Sequence, residues 1–147
     1  MPGKPSHFTN NTIIILNGDS GSGKTTMASF LQKGRKDISI VRTDNFFCFS
    51  SIKKYHSHES YSDLLKIYKG YDKPYHYINN INAELFKHSK LIKIFEDYLK
   101  DNIKMYFKDG AKLLIIEGTT MKNKKILNYI EDYCKEESIK LWIMNSF

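Results

Sequence analysis

Cysteine is scarce in this chain, and long apolar runs are missing. Cys48 and Cys134 are the only cysteines among 147 residues, which excludes a disulfide-rich scaffold and is typical of a reducing compartment. No apolar run approaches the ~18 residues that a membrane span requires. The first residues, MPGKPSHFTNN, lack the apolar stretch of a signal peptide. We therefore expect a cytoplasmic protein without a membrane-spanning segment.

Arginine is equally scarce, although the chain is basic. Only Arg35 and Arg42 are arginines, so the other 21 of the 23 basic residues are lysines, and the formal charge is +7. A positive excess suits a polyanionic partner. The lysines are dispersed along the chain, however, which favours general solvation over a dedicated nucleic-acid surface. Nucleic acid stays open as a partner.

The remaining composition is that of a folded domain, with 41% hydrophobic residues. Residues 1–11 contain two prolines and a glycine and are expected to form a flexible tail, while residues 12–147 are expected to form one domain. Four short apolar runs are separated by segments whose apolar residues recur at helical spacing. The runs predict strands at residues 12–17, 38–42, 112–117 and 139–144. This alternation predicts an α/β fold with a parallel sheet.

A glycine-rich turn separates the first predicted strand from the first predicted helix, in IIILNGDSGSGKTTMASFL. Residues 18–25 match G-x-x-x-x-G-K-[ST] in full, which is the P-loop pattern. Glycines let successive backbone N–H groups converge on phosphate oxygens, and the following helix directs its positive end there. Lys24 is expected to reach the β- and γ-phosphates, and the Thr25 hydroxyl to bind Mg²⁺. The residues expected to hold the nucleotide are Gly18, Asp19, Ser20, Gly21, Ser22, Gly23, Lys24, Thr25 and Thr26.

Two acidic residues follow predicted strands. Asp44 comes directly after the second strand, in TDNFF, and Glu117 ends the third, in LLIIEG. Because ligands gather beyond the carboxyl ends of parallel strands, both are expected at the edge that carries the P-loop. One carboxylate can accept a proton from an attacking hydroxyl, and the other can hold a metal-bound water. A helix N-cap at Asp44 and a solvated strand end at Glu117 are the alternative interpretations.

The order of these motifs resembles the uridine kinase and phosphoribulokinase-like group of P-loop kinases. GDSGSGKTT, TDNFF, a Tyr-Asp-x-Pro segment at Tyr71, Asp72 and Pro74, and LLIIEG follow one another. The similarity covers about residues 12–120, and only the P-loop part is highly specific. A shorter resemblance links the chain to polynucleotide 5′-hydroxyl kinases, which also place an aspartate just after the second strand.

The resemblance implies a three-layer P-loop NTPase fold, with a parallel sheet of about four strands in the order 2-3-1-4 and helices on both faces. It implies a kinase that transfers the γ-phosphoryl group of ATP or GTP to a hydroxyl of a nucleoside-like acceptor. Asp44 would be the catalytic aspartate, while Glu117 and Thr25 would position Mg²⁺. Weaker substrate candidates are Arg42, Phe47 (where tyrosine is usual), Tyr71, Asp72 and Tyr75.

The chain departs from this group in one respect, because such kinases continue past the fourth strand into an arginine-bearing lid. An arginine of this kind contributes about 10³–10⁵ in rate in related enzymes. No arginine follows Arg42 here. Three accounts stay open: Lys122, Lys124 and Lys125 replace the lid arginines, a second subunit supplies an arginine, or the chain binds nucleotide with little turnover.

Overall fold

A four-stranded parallel sheet organises the part of the chain that the computed structural model describes, which is residues 11–17, 23–43, 46 and 89–145. Its strands are β1 (Thr12–Leu16), β2 (Ile38–Arg42), β3 (Leu113–Glu117) and β4 (Lys140–Met144). Neighbouring strands all pair in parallel, and the hydrogen-bonded order is β2-β3-β1-β4. The order expected for these strands is 2-3-1-4. The predicted α/β class with a parallel sheet is confirmed.

Three helices lie between the strands in the described residues. They are α1 (Lys24–Gln32), α2 (Ser89–Lys108) and α3 (Lys124–Glu137), and a short 3₁₀ turn at Thr119–Lys122 precedes α3. Asn123 begins α3 because its side-chain oxygen accepts from the backbone N–H groups of Lys125 and Ile126, at 2.9 and 3.2 Å. None of the described helices is both long and apolar enough to cross a membrane.

The chain divides into two compact units, one of Met1–Thr43 with Asn102–Phe147 and the other of Asp44–Asp101. The first unit holds the sheet, α1 and α3. In the second, the buried ring of Phe46 packs on Phe95 of α2 with 5.0 Å between ring centroids, in an edge-to-face arrangement. Tyr98 belongs to the same aromatic cluster, with 5.1 Å between its ring centroid and that of Phe46. Such pairs add stability beyond their buried area.

Both faces of the central strands are covered. On one face Leu16 and Ile115 pack with Ala28 of α1 and with Ile38. On the other face, the side chains that alternate with them are also fully buried: Ile13, Ile15, Leu114 and Ile116. Because successive side chains of a strand point to opposite faces, this pattern explains why β1 and β3 read as continuous apolar runs.

One position of the expected α1 stripe is wrong. The sequence predicts Met27, Ala28, Phe30 and Leu31 on one buried face, but Phe30 is 72% exposed. Residues 28 and 30 lie about 160° apart around the helix, so only one of them can face the sheet, and Ala28 is the buried one. Phe30 is therefore outside the stripe, and the other three pack toward the sheet.

Candidate functional site

The four strands end in one row. Leu16 of β1 is in register with Glu117 of β3 on one side and with Met144 of β4 on the other, and Glu117 is in register with Arg42 of β2. The glycine-rich turn leaves β1 directly after this row, through Asn17. Glu117 and Arg42 therefore lie at the sheet edge where the P-loop pattern begins.

The N-terminus of α1 faces the same edge. Gln32, the last residue of α1, donates through Nε2 to the carbonyl oxygen of Ile38 at 2.9 Å, so the helix ends where β2 begins. Its first residue therefore lies toward the carboxyl ends of the strands. Met27 makes the first intrahelical hydrogen bond, to Gly23 O at 2.9 Å. The amides of Lys24, Thr25 and Thr26 thus have no acceptor within the helix.

Gly23 turns the chain into this helix with a left-handed backbone, φ +96° and ψ +10°. No atom lies within 4 Å of the position that a Cβ would take there, so backbone conformation and not space requires glycine. Gly23 is the glycine of the Gly-Lys-Thr end of the P-loop pattern.

Glu117 is a nearly buried carboxylate, with 6% of its side chain exposed. Nε of Arg42 lies 3.9 Å from its Oε1 atom. The Nη2 atom of the same guanidinium lies 3.5 Å from the Ser29 hydroxyl of α1. Arg42 therefore connects the helix after the glycine-rich turn with the acidic end of β3. Its positive charge also lowers the cost of holding a carboxylate away from water.

Thr43, which follows β2, and Gly118, which follows Glu117, hold the ends of β2 and β3 together. The buried Thr43 hydroxyl donates to the backbone oxygen of Glu117 at 3.2 Å. Gly118 has φ +146° and ψ +157°, a region open essentially only to glycine. A Cβ at Gly118 would overlap the Thr43 hydroxyl. The segment before Asp44 in the sequence is thus held against the segment that carries Glu117.

Asn17 adds a polar group at the end of β1. Its Nδ2 group donates to Asn145 Oδ1 at 3.3 Å, and its backbone N–H donates to Met144 O at 2.8 Å. Its own Oδ1 atom is buried and has no hydrogen-bond partner among the described residues. A buried acceptor without a donor costs stability, so a donor from a bound molecule would be stabilising there.

The structure brings together some of the predicted site residues. Gly23, Arg42 and Glu117 lie at or beside the carboxyl edge, and Thr26 is exposed in the first turn of α1. Lys24 and Thr25 begin α1. The other predicted positions lie outside the described residues: Gly18, Asp19, Ser20, Gly21, Ser22, Asp44, Phe47, Tyr71, Asp72 and Tyr75.

Sequence reasoning missed Thr43, Ser29 and Asn17. Each is a small polar residue that belongs to no motif and to no apolar pattern. The partner of Thr43 is 74 residues away along the chain. Only the pairing of β2 with β3 reveals this contact. The glycine after Glu117 was a usable signal, because glycine at a strand end indicates a close approach of backbone.

The chain matches no protein-family model, and no curated protein matches it.

Proposed function

We propose that this protein is a P-loop kinase that transfers the γ-phosphoryl group of ATP or GTP to a hydroxyl of a nucleoside-like small molecule. The observation that carries the proposal is the position of Glu117. The complete P-loop pattern begins two residues after Leu16, the last residue of β1. Glu117, whose carboxylate is nearly buried, is in register with Leu16 on the neighbouring strand β3. Phosphate and metal ligands of a nucleotide would thus meet at one edge.

In this proposal the amides at the start of α1 and in the glycine-rich turn hold the phosphates. Backbone N–H groups at a helix N-terminus bind anions well because they lack internal acceptors and the helix dipole adds to the attraction. Lys24 provides a point charge for the β- and γ-phosphates. Asp44, which directly follows Thr43, accepts the proton of the acceptor hydroxyl.

The donor set fits Mg²⁺. Thr25 and Glu117 offer hydroxyl and carboxylate oxygens, the hard ligands that Mg²⁺ prefers, together with phosphate oxygens and water. Mg²⁺, when bound, neutralises charge on the phosphates during transfer. Thr43 and Arg42 position Glu117 for this role through its backbone oxygen and its carboxylate, respectively.

A second candidate function is a nucleotide-binding regulatory protein with little turnover. The Arg42–Glu117 contact favours it, because the last arginine of the chain lies beside Glu117 and supports its charge. A guanidinium in this place stabilises the Glu117 carboxylate. Stabilisation of the charge on the transferring phosphoryl group would then fall to lysines, which lack the planar fork of arginine. Lys122 at the end of the 3₁₀ turn and Lys124 and Lys125 at the start of α3 are exposed, and they are the candidates for that task.

A phosphoryl-transfer screen distinguishes these functions. ATP and GTP labelled at the γ-phosphate are incubated with nucleosides, nucleotides and 5′-hydroxyl oligonucleotides in the presence of Mg²⁺. We expect label on a nucleoside-like acceptor. Label only on oligonucleotide ends would make the protein a polynucleotide kinase. Binding of Mg²⁺ and nucleotide without label on any acceptor would favour the regulatory function.

A further inference from the structure

The edge strand β4 carries an apolar face that α1 leaves open. In the register of the sheet, Trp142 pairs with Ile14 and Met144 with Leu16, so these side chains share one face. The core on that face joins α1 to β1, β2 and β3. On β4, Trp142 is 64% exposed and Met144 is 37% exposed. Parallel sheets normally bury both faces, so an open apolar face at the edge marks a binding surface.

A groove runs along this face. Its volume is about 480 Å³, and its lining combines apolar residues of the sheet with charged residues beside the amino ends of the strands. The lining residues are Thr12, Ile14, Arg35, Asp37, Lys112, Leu113, Trp142 and Met144. A groove of this volume accommodates a ligand of the size of a nucleotide.

The charge around the groove is positive. Lys112 is exposed in its lining, and Lys140 lies two residues before Trp142 on the same face of β4. Arg35 and Asp37 form a two-point ion pair, with Nε–Oδ1 and Nη2–Oδ2 distances of 3.0 and 2.9 Å. Asp37 is the one acidic residue of the lining, and it neutralises Arg35. The two lysines therefore remain as excess charge.

We propose that this groove binds single-stranded nucleic acid, with a base stacked on Trp142 and phosphates beside Lys112 and Lys140. Aromatic faces beside cationic rims bind single strands without sequence preference, because every base offers a π-face. The excess positive charge of Lys112 and Lys140 at the groove favours a polyanion and opposes a second copy that presents the same face. The groove lining includes neither Gly23 nor Glu117, and the proposal does not depend on the proposed phosphate site.

Trp142 is the only tryptophan, so its fluorescence reports on this groove alone. The probe is an oligothymidylate of about twelve nucleotides, within the usual site sizes of single-strand binders. We expect quenching of Trp142 emission on titration and an affinity that falls as salt rises, with a slope of about −0.7 per phosphate contacted. Trp142→Ala should weaken binding about 5- to 150-fold by anisotropy of a labelled oligonucleotide, while Trp142→Phe should retain most of it.

Matched controls make the test specific. Phe30 is the other strongly exposed aromatic residue of the described chain and does not line the groove, so Phe30→Ala should bind as the wild type. Lys112→Ala/Lys140→Ala should reduce the magnitude of the salt slope by about 1.4, and Lys104→Ala, an exposed lysine of α2, should not change it. Binding of Mg²⁺ and ATP should be equal in all of these variants.

Three results would overturn the proposal. Unchanged oligonucleotide affinity in Trp142→Ala would remove the stacking role, and an unchanged salt slope in the double lysine variant would remove the phosphate role. A blue shift of Trp142 emission with protein concentration alone, together with a dimer in sedimentation, would mean that a second copy covers the groove. Trp142→Phe shows whether loss of fold explains a negative result, since it keeps an aromatic ring at the exposed position.

Discussion

The backbone of Gly118 lies directly against the hydroxyl of Thr43, and this close approach joins the ends of β3 and β2. Thr43 Oγ1 donates to Glu117 O at 3.2 Å, and its position coincides with the space that a side chain at residue 118 would need. The ends of β2 and β3 are therefore held together beside Glu117.

Gly118→Ala should destabilise the protein by about 2–4 kcal/mol, because the backbone conformation is open essentially only to glycine and the new methyl overlaps Thr43. Gly110→Ala is the matched control: Gly110 also has a positive φ, +109°, but open space around it, so only backbone strain of about 1–2 kcal/mol applies. Denaturant unfolding measures both. The double variant Thr43→Ala/Gly118→Ala should be destabilised by about 1 kcal/mol less than the sum of the destabilisations of the two single variants. Strict additivity would contradict the close contact between the two residues.

Glu117→Gln should weaken the effect of Mg²⁺ on nucleotide affinity. The amide keeps the shape of the side chain and removes the charge that supports a hydrated metal, so we expect about 10- to 100-fold weaker Mg²⁺ binding in the presence of ATP. Calorimetry with increasing Mg²⁺ measures this change. Glu131→Gln, on the exposed side of α3, is the control and should behave as the wild type. Identical Mg²⁺ dependence in Glu117→Gln would exclude a metal role.

Asp44→Asn should retain nucleotide affinity and lose phosphoryl transfer. The amide cannot accept the hydroxyl proton, and general-base catalysis contributes about 10²–10⁴ in rate. Equilibrium binding of Mg²⁺ and ATP, measured beside the transfer rate to the best acceptor, separates the two effects. A variant that transfers phosphate at the wild-type rate would discard Asp44 as the base.

Cys134 should be inert in the folded protein. It is buried in α3, and this burial raises the pKa of its thiol from 9.0 to about 11. Since the thiolate is the reactive form, the raised pKa lowers the thiolate fraction near pH 8 about a hundredfold. In Cys48→Ser, where Cys134 is the remaining thiol, a disulfide reagent should react far more slowly with native than with unfolded protein. Comparable rates would contradict burial of the thiol.

The same raised pKa makes stability depend on pH with a definite sign. Below pH 9.0 the thiol is protonated in both states and the full stability is present; between pH 9.0 and about 11 the unfolded state releases its proton first, so stability is lost. The free energy of unfolding should therefore fall more steeply across that range in Cys48→Ser than in Cys48→Ser/Cys134→Ala. Equal slopes would refute the effect.

The strands were predictable because β1 and β3 are buried on both faces and leave continuous apolar runs, TIIIL and LLIIE. Ile126, Ile130 and Tyr133 likewise recur at helical spacing in the sequence, which predicts one apolar face, and all three are buried in α3. Phe30 was misplaced because a four-residue apolar cluster does not show which member lies off the helix face. Periodicity reports burial only on average.

The site was less predictable than the sheet. Glu117 and Arg42 could be assigned to strand ends from local sequence, but their 3.9 Å contact depends on β2 and β3 being adjacent and in register. The Thr43 hydrogen bond depends on the same long-range pairing. No local pattern encodes the register of two parallel strands when their connection is long. The roles of Asp44 and residues 18–22 stay predictions from sequence.

The proposed phosphate site at the start of α1 is tested most directly by equilibrium binding of Mg²⁺ and ATP to wild type, Lys24→Ala and Lys33→Ala. Lys33 follows the other end of α1 and is exposed, so it serves as the matched control. We predict saturable binding by the wild type and by Lys33→Ala, and about 10- to 100-fold weaker binding by Lys24→Ala, the loss expected for one charged phosphate contact. Equal affinity in Lys24→Ala, or no binding of either ATP or GTP by the wild type, would contradict the account.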